Sequence, residues 1–546
     1  MTFNHNLLRR AGTTTATIAL VAGGYLVMSG TTAEPAAGQS GGEAPKGAWS
    51  TQVWPTAKRV ESVEEKADVQ QHGPPQYVGA YAKKTADGTA DPTHKVVDGK
   101  DDLFRAGPQY DKNYDAKSQV DIYGAKREVE APRPLLELGR EQYTSGGYEP
   151  SSTLLGELNP LLPGLSIYGD WRTAVAYNGN NGKDIAQIAT RLNLDIDFKF
   201  TATERIHAFF TPLQKNAKFT RYEFGGGDGD RKFTDEFDFN PQTLFFEGDL
   251  GSLYSGFSGK DARFDLPFVV GLFPLFLQNG IWANDAILGG AVTLPARNSA
   301  KLGLPNYDIT FFAAFDNVDN AGILGAQKNS NANVFGATTF IDAFKGYIEA
   351  GYGLLQGRDE LDGQLTHFLT ASYSRRYYNT FSNSTRLFAN FGDGKDDEGF
   401  AIISENSLIT GGLSTLIPYA NFFVGFGNPQ PLVDGNGAGI LKNVGINFET
   451  DALTGYPKLN DTGADTYGGA IGVTYLFGKD LGQQFVVEAA MVQPFGDSKI
   501  PAQYGFGVRY QIALTRAWLL RADATYQIIE DGEDNFGVRM ELRRKF

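Results

Sequence analysis

From Leu165 to Phe546, apolar and polar residues exchange places at every second position over one stretch after another. LSIYGDWRTAVAY sets Leu165, Ile167, Trp171, Val175 and Tyr177 on one face, with Ser166, Asp170 and Arg172 on the other. In RLNLDIDFKF, Leu192, Leu194, Ile196, Phe198 and Phe200 alternate with Arg191, Asn193, Asp195, Asp197 and Lys199. YGFGVRYQIAL separates Phe506, Val508, Tyr510 and Ile512 from Arg509 and Gln511, and AWLLRADATYQII separates Trp518, Leu520, Ala522, Tyr526 and Ile528 from Arg521, Asp523, Thr525 and Gln527. The last stretch, NFGVRMELRRKF, opposes Phe536, Val538, Met540 and Leu542 to Arg539, Glu541 and Arg543. Period two is the period of a strand whose two faces meet different surroundings. Stretches beginning near Thr243, Tyr307, Val334, Gly346, Thr366, Thr385, Ala401, Ile417, Thr466 and Phe485 follow it less perfectly. The pattern predicts about 16 to 18 strands of about ten residues, the length that crosses a bilayer at the usual tilt.

Connections between these strands differ in length. TATER and LTRA are tight, whereas KFTRYEFGGGDGDRKFTDEFDFNPQ, FGDGKDDEG and the stretch 425–465 are long, polar and rich in Gly and Asp. Short turns at one end and long loops at the other are the habit of membrane barrels. A soluble sandwich could also bury one face and wet the other. Strand number and length, the aromatic residues Trp171, Tyr177, Trp518 and Tyr526 near strand ends, and an export signal favour closure in lipid, where an open sheet edge costs several kcal/mol per unpaired group.

Composition agrees: 66 Gly, 25 Tyr and 39 Phe stand against 4 Met and no Cys, and the mean hydropathy of -0.28 is too low for a bundle of membrane helices. The first 33 residues carry Arg9 and Arg10, an apolar core from Thr17 to Met28 and the small residues SGTTA, which reads as a secretory signal peptide cut after Ala33. Residues 34–164 are polar and rich in Gly, Pro and Asp, which predicts a largely irregular extension. DIYGAKREVEAPRPLLELGREQY within it mixes apolar anchors and charges; a plug in the barrel, a periplasmic tether and a flexible leader are all compatible. The formal charge of -14 makes nucleic acid an unsuitable partner.

The signal peptide, the repeated amphipathic strands and a final strand ending on Phe546 resemble the porin-like β-barrel proteins of the Gram-negative outer membrane. Sugar-selective porins and alginate-export barrels share the general pattern, and no stretch distinguishes between them. The resemblance covers 165–546 and implies a closed all-β antiparallel transmembrane barrel, contact with outer-membrane lipid, recognition of the terminal strand by the barrel-assembly machinery, and compatibility with a homo-oligomer.

Residues on the polar faces should then line the lumen: Arg191, Asp195, Asp197, Lys199, Arg509, Arg521, Asp523, Arg539, Glu541 and Arg543. Rows of both signs could set up a transverse field for dipolar solutes, or pair with one another to fill a polar interior. LPFVVGLFPLFLQNGIWANDAI, from Leu266 to Ile287, interrupts the pattern with Pro267 and Pro274. It reads either as a hydrophobic loop narrowing the pore with Phe273, Phe276 and Trp282, or as an irregular lipid-facing strand. The acidic clusters around Asp228, Asp230, Asp235, Glu236 and Asp238, and around Asp393, Asp396 and Asp397, read as solvated loops rather than calcium sites, because the helix-loop-helix spacing is missing. No metal site or cofactor is expected. Five His at 5, 72, 94, 207 and 367 form no zinc pair, no nucleophile motif occurs, and catalysis is not expected. Passive diffusion of small hydrophilic solutes is the expected function; the competing reading is a barrel that sheathes or anchors a partner protein, and a third is a secreted soluble β-rich protein.

Overall fold

A computed structural model describes residues 133–139 and 150–546, apart from 216–217, 227–230, 317, 319, 321–331, 359–361, 394–397, 411–414, 436–438, 450–452 and 479–480. The leader 1–33, most of the extension 34–164, Asp228, Asp230, Asp396 and Asp397 lie outside the described residues.

The described elements run β1 (Leu136–Gly139), β2 (Gly164–Asn180), β3 (Lys183–Lys199), β4 (Arg205–Phe210), β5 (Gln214–Lys215), β6 (Lys218–Gly226), β7 (Lys232–Thr234), β8 (Pro241–Asp249), α1 (Leu250–Ser258), β9 (Pro267–Leu277) and β10 (Ala283–Ser299). They continue as β11 (Leu304–Asp316), β12 (Ala332–Ala343), β13 (Gly346–Gly357), β14 (Leu365–Tyr377), β15 (Phe381–Gly392), β16 (Gly399–Leu408), β17 (Thr415–Gly427), β18 (Val433–Asp434), β19 (Thr466–Phe477), β20 (Gln483–Pro494), β21 (Gln503–Ala513), β22 (Trp518–Ile529) and β23 (Asn535–Lys545).

Each long strand pairs antiparallel with the next, and β23 returns to β2 from Asp170↔Lys545 to Gly179↔Phe536, so the sheet closes on itself. Two wall positions are interrupted. β4 and β6 both pair with β3 and together make one strand, while β8 pairs with β4 and β7 with β6 to make the next. Counted this way the chain forms a closed antiparallel barrel of 18 strands. The stretch 218–242, expected as a long loop, is therefore largely wall: its Gly and Asp residues hide strands broken by short irregular pieces.

Closure satisfies the backbone without a second layer, and among the described residues the outer face has none. Val538 and Met540, both 57% exposed, Phe506, Phe422, Phe311 and Trp171 all point outward from the barrel. The chain places there the apolar half of each alternating stretch, which is the belt a bilayer would cover. At the end bearing the C-terminus, turns are short, such as Phe344–Lys345 between β12 and β13. The same end carries a clasp: β1 pairs with the start of β2 directly beyond the point where Phe546 N donates to Gly169 O (3.0 Å) and Gly169 N to Phe546 O (2.9 Å). β1 thus covers the part of the β2 edge that β23 is too short to reach.

The lumen and its inward-folded segments

The expected lumen residues fall on strands whose other face carries the apolar belt. Arg191, Asp195, Asp197 and Lys199 share the inner face of β3; Arg509, Arg521, Asp523, Arg539, Glu541 and Arg543 lie on β21 to β23. Asp523 collects three guanidiniums, with Arg539 Nη2, Arg521 Nε and Arg509 Nε each 2.7 Å from its carboxylate. Arg172 grips Glu541 through two bonds of 2.8 Å, and Arg543 reaches Asp170 at 2.8 Å. Register explains the clustering, because Arg509↔Asp523 and Asp523↔Arg539 are directly opposite one another on adjacent strands. Farther round, Asp197 and Asp195 flank His207 at 3.0 and 3.4 Å, His207 stacks on Phe245, and Arg205 bonds Glu247. This wall is rich in charge, and its charges are largely matched in pairs.

The opposite wall is different. Phe312, Val334, Leu355, Phe368, Phe388, Ile403 and Phe423 point inward from β11 to β17, so these strands are apolar on both faces over much of their length, with Arg386, Glu349 and Glu405 as a charged exception. That is why their alternation is imperfect in the sequence. Two segments fill the space in front of them.

The first is the upper half of the β9–β10 hairpin. Beyond Leu272 no residue of β9 pairs with β8, and β10 above Leu288 has no partner on β11. The hairpin turns inward where Gly271 and Gly289 face each other. Gly271 has φ +126, and a Cβ there would lie 2.5 Å from Leu244 O; at Gly289 a Cβ would strike the β11 backbone. Pro274 sits on the stretch of β9 left without a β8 partner, where its missing N–H is tolerated. The tip reaches across the lumen: Arg386 Nη1 donates to Gln278 Oε1 (2.7 Å), and the Trp282 ring lies against Gly351, where a Cβ would be 2.8 Å away. Phe273 and Trp282 are buried in the apolar cluster, whereas Phe276 is half-buried and packs under the turn at Gly280.

The second segment, 428–465, was expected outside as a polar loop. It folds into the lumen instead. Leu432, Val433, Ile440, Leu441, Val444, Phe448 and Leu459 pack on the apolar wall, and Val433 and Asp434 form a short parallel ladder with Ala283 and Asn284 of the hairpin. Its polar side meets the charged wall. Glu488, only 2% exposed, accepts from Tyr419 Oη (2.5 Å), Ile446 N (2.8 Å), Asn447 N (2.9 Å) and Asn447 Nδ2 (2.8 Å). Glu449 bonds Arg509 and lies 3.3 Å from Arg521. Thr454 O accepts from Asn178 Nδ2 (2.6 Å) and Gln187 Nε2 (2.5 Å), and the Tyr456 ring lies 5.0 Å from the Arg539 guanidinium. Burial pushes the Glu449 carboxyl up, but the Arg509 and Arg521 guanidiniums more than offset this and hold it below the usual carboxylate range. Burial pushes the Tyr456 phenol up.

Glu488, Glu449, Asn447 and Tyr419 were not picked out from the sequence. The available signal was seven large apolar residues in a Gly- and Asn-rich stretch that a solvated loop has no use for.

The architecture is a closed antiparallel β-barrel of 18 strands whose lumen is internally restricted. Its fold is similar to solved Pseudomonas aeruginosa structures: OccK2 (OpdF) in complex with glucuronate, 12% identical with TM-score 0.45, and OpdK with vanillate, 12% identical with TM-score 0.46, each covering 70% of this chain and 98% of that chain. OccK5 (OpdH) is 9% identical with TM-score 0.42 over the same shares. No family model matches the chain, and no curated protein matches it.

Proposed function

We propose that the chain is a passive outer-membrane channel for small hydrophilic solutes, restricted by the β9–β10 hairpin and the segment 428–465. The observation that carries this reading is a closed barrel whose lumen has one wall of paired charges, running from Arg509 round to Asp197, faced by a segment of the chain itself. Solute passing this wall meets half-buried side chains such as Arg172 and Arg191 that bind water and polar groups, while the apolar residues behind the inserted segments are used up in packing. Matched charge favours neutral or dipolar solutes over one sign of ion. A sheath for a partner protein would have to keep its lumen clear, and this lumen holds the chain's own segments. The β1 clasp ties Leu136–Gly139 to the rim that carries Phe546; in this reading the extension 34–164 lies on the periplasmic side and follows a cleaved leader at 1–33.

Swelling of proteoliposomes in iso-osmotic solutes is the test. Entry of small uncharged sugars faster than of larger ones supports the reading. Liposomes carrying folded protein that swell in none of them would refute it.

A further inference from the structure

Among the described residues, one face of the helix α1 has no partner. Gly251 and Gly256 are buried, the latter against the backbone of Leu155, and Asp249 caps the helix by accepting from Ser252 N at 2.7 Å. On the opposite side Leu250, Tyr254 and Phe257, spaced i, i+4 and i+7, are 41%, 50% and 71% exposed, and Phe264 beside Tyr254 is 42% exposed. A nine-residue helix gains nothing from presenting three large apolar groups to water.

The position of this face identifies what covers it. On β8 the outward residues are Leu244 and Phe246, and the same face continues through Gly248 to Leu250. Phe246 packs on Phe268 (5.8 Å) and Phe200 (6.5 Å), and Phe200 on Phe198 (4.7 Å), forming an aromatic ridge around the terminus-bearing end of the barrel. The apolar face of α1 extends that ridge beyond the wall. Aromatic ridges at this depth mark the boundary between acyl chains and headgroups, and an amphipathic helix adjoining one lies in the interface plane.

We infer that α1 is an interfacial anchor, seating Leu250, Tyr254 and Phe257 in the headgroup region of the phospholipid leaflet on the terminus-bearing side. This rests on the membrane reading of the barrel, and the test separates the two. Because the chain has no Cys, single-cysteine variants Tyr254→Cys, Phe257→Cys, Lys260→Cys and Val538→Cys of the full chain can each be spin-labelled. The labelled proteins are reconstituted in phosphatidylethanolamine–phosphatidylglycerol vesicles, and relaxation by oxygen is compared with relaxation by a water-soluble nickel chelate. Val538 reports the barrel's lipid belt and Lys260 the aqueous side. The inference predicts a several-fold higher oxygen-to-nickel ratio at 254 and 257 than at 260, with 538 higher still. Lipid-like values at 538 but water-like values at 254 and 257 would overturn the anchor and leave the barrel intact. Water-like values at 538 would overturn both. Labels at 254 and 257 shielded from both relaxants would also overturn the anchor: spin–spin broadening would then identify a second copy as the cover, and exposure after removal of residues 34–132 would identify the extension.

Discussion

Replacing Glu488 with Ala should release the segment 428–465 from the charged wall. Four donors converge on this one buried carboxylate, three of them from Ile446 and Asn447 in the segment itself. Each buried donor left without its acceptor costs ~1–3 kcal/mol, and because the donors share one acceptor the losses overlap rather than add, giving about 4 kcal/mol for the site. At about 1.4 kcal/mol per tenfold, that moves the docked–released equilibrium by roughly a thousandfold. The barrel wall itself keeps its backbone pairing through Glu488↔Gly472 and Glu488↔Gly507. Trypsin reads the outcome, since Lys442 and Lys458 lie in the segment and are held by Asp434 and Asp461 at 2.5 Å while it is docked. The variant should be cut at these lysines under conditions that leave the parent intact, and its single-channel conductance should rise. An E488A protein that is folded, as resistant to trypsin as the parent and equal in conductance would refute the docking scheme.

Three other outcomes follow from the same geometry. Asp523→Asn leaves Arg509, Arg521 and Arg539 short of their shared anion, and breaking such a buried set costs ~3–5 kcal/mol, so the temperature at which the folded band converts to the unfolded one on gels should fall. Glu449 has its carboxyl held below the usual range, so its contribution is present at neutral pH and is lost as pH falls through that depressed value; acidification should raise conductance noise, and Glu449→Gln should show raised noise already at neutral pH and a flatter acid response. Trp282→Ala empties the seat on Gly351 and should weaken hairpin packing by ~3–5 kcal/mol, seen as faster hydrogen exchange in 273–287 with the rest of the barrel unchanged.

The wall was legible in the sequence wherever its two faces meet different media. On β2, β3 and β21 to β23 the exposed apolar belt lies outside and charge inside, and Phe536, Val538, Met540 and Leu542 alternate cleanly with Arg539, Glu541 and Arg543. From β11 to β17 the pattern blurs for a physical reason: Phe311 meets the outside and Phe312 the inserted segments, so neighbours on opposite faces are both apolar. Apart from the two-residue ladder at Val433 and Asp434, the described residues of 428–465 are neither helix nor strand and so show no period. Its Gly, Asn and Asp residues dominate a compositional reading, although Leu432, Ile440 and Phe448 belong to the interior. In 218–242, strands of three to nine residues interrupted by breaks are too short to show alternation. Glu488 was beyond reach for another reason: nothing in its neighbours distinguishes a carboxylate that anchors a distant segment from one that lines a pore.

Planar-bilayer recording of the pure, folded full-length protein, side by side with a variant in which residues 431–461 are replaced by a two-glycine link, tests the channel directly. Discrete conductance steps in the parent, larger in the shortened variant, are the predicted result. Two folded, membrane-inserted proteins that both stay silent at every voltage would contradict it.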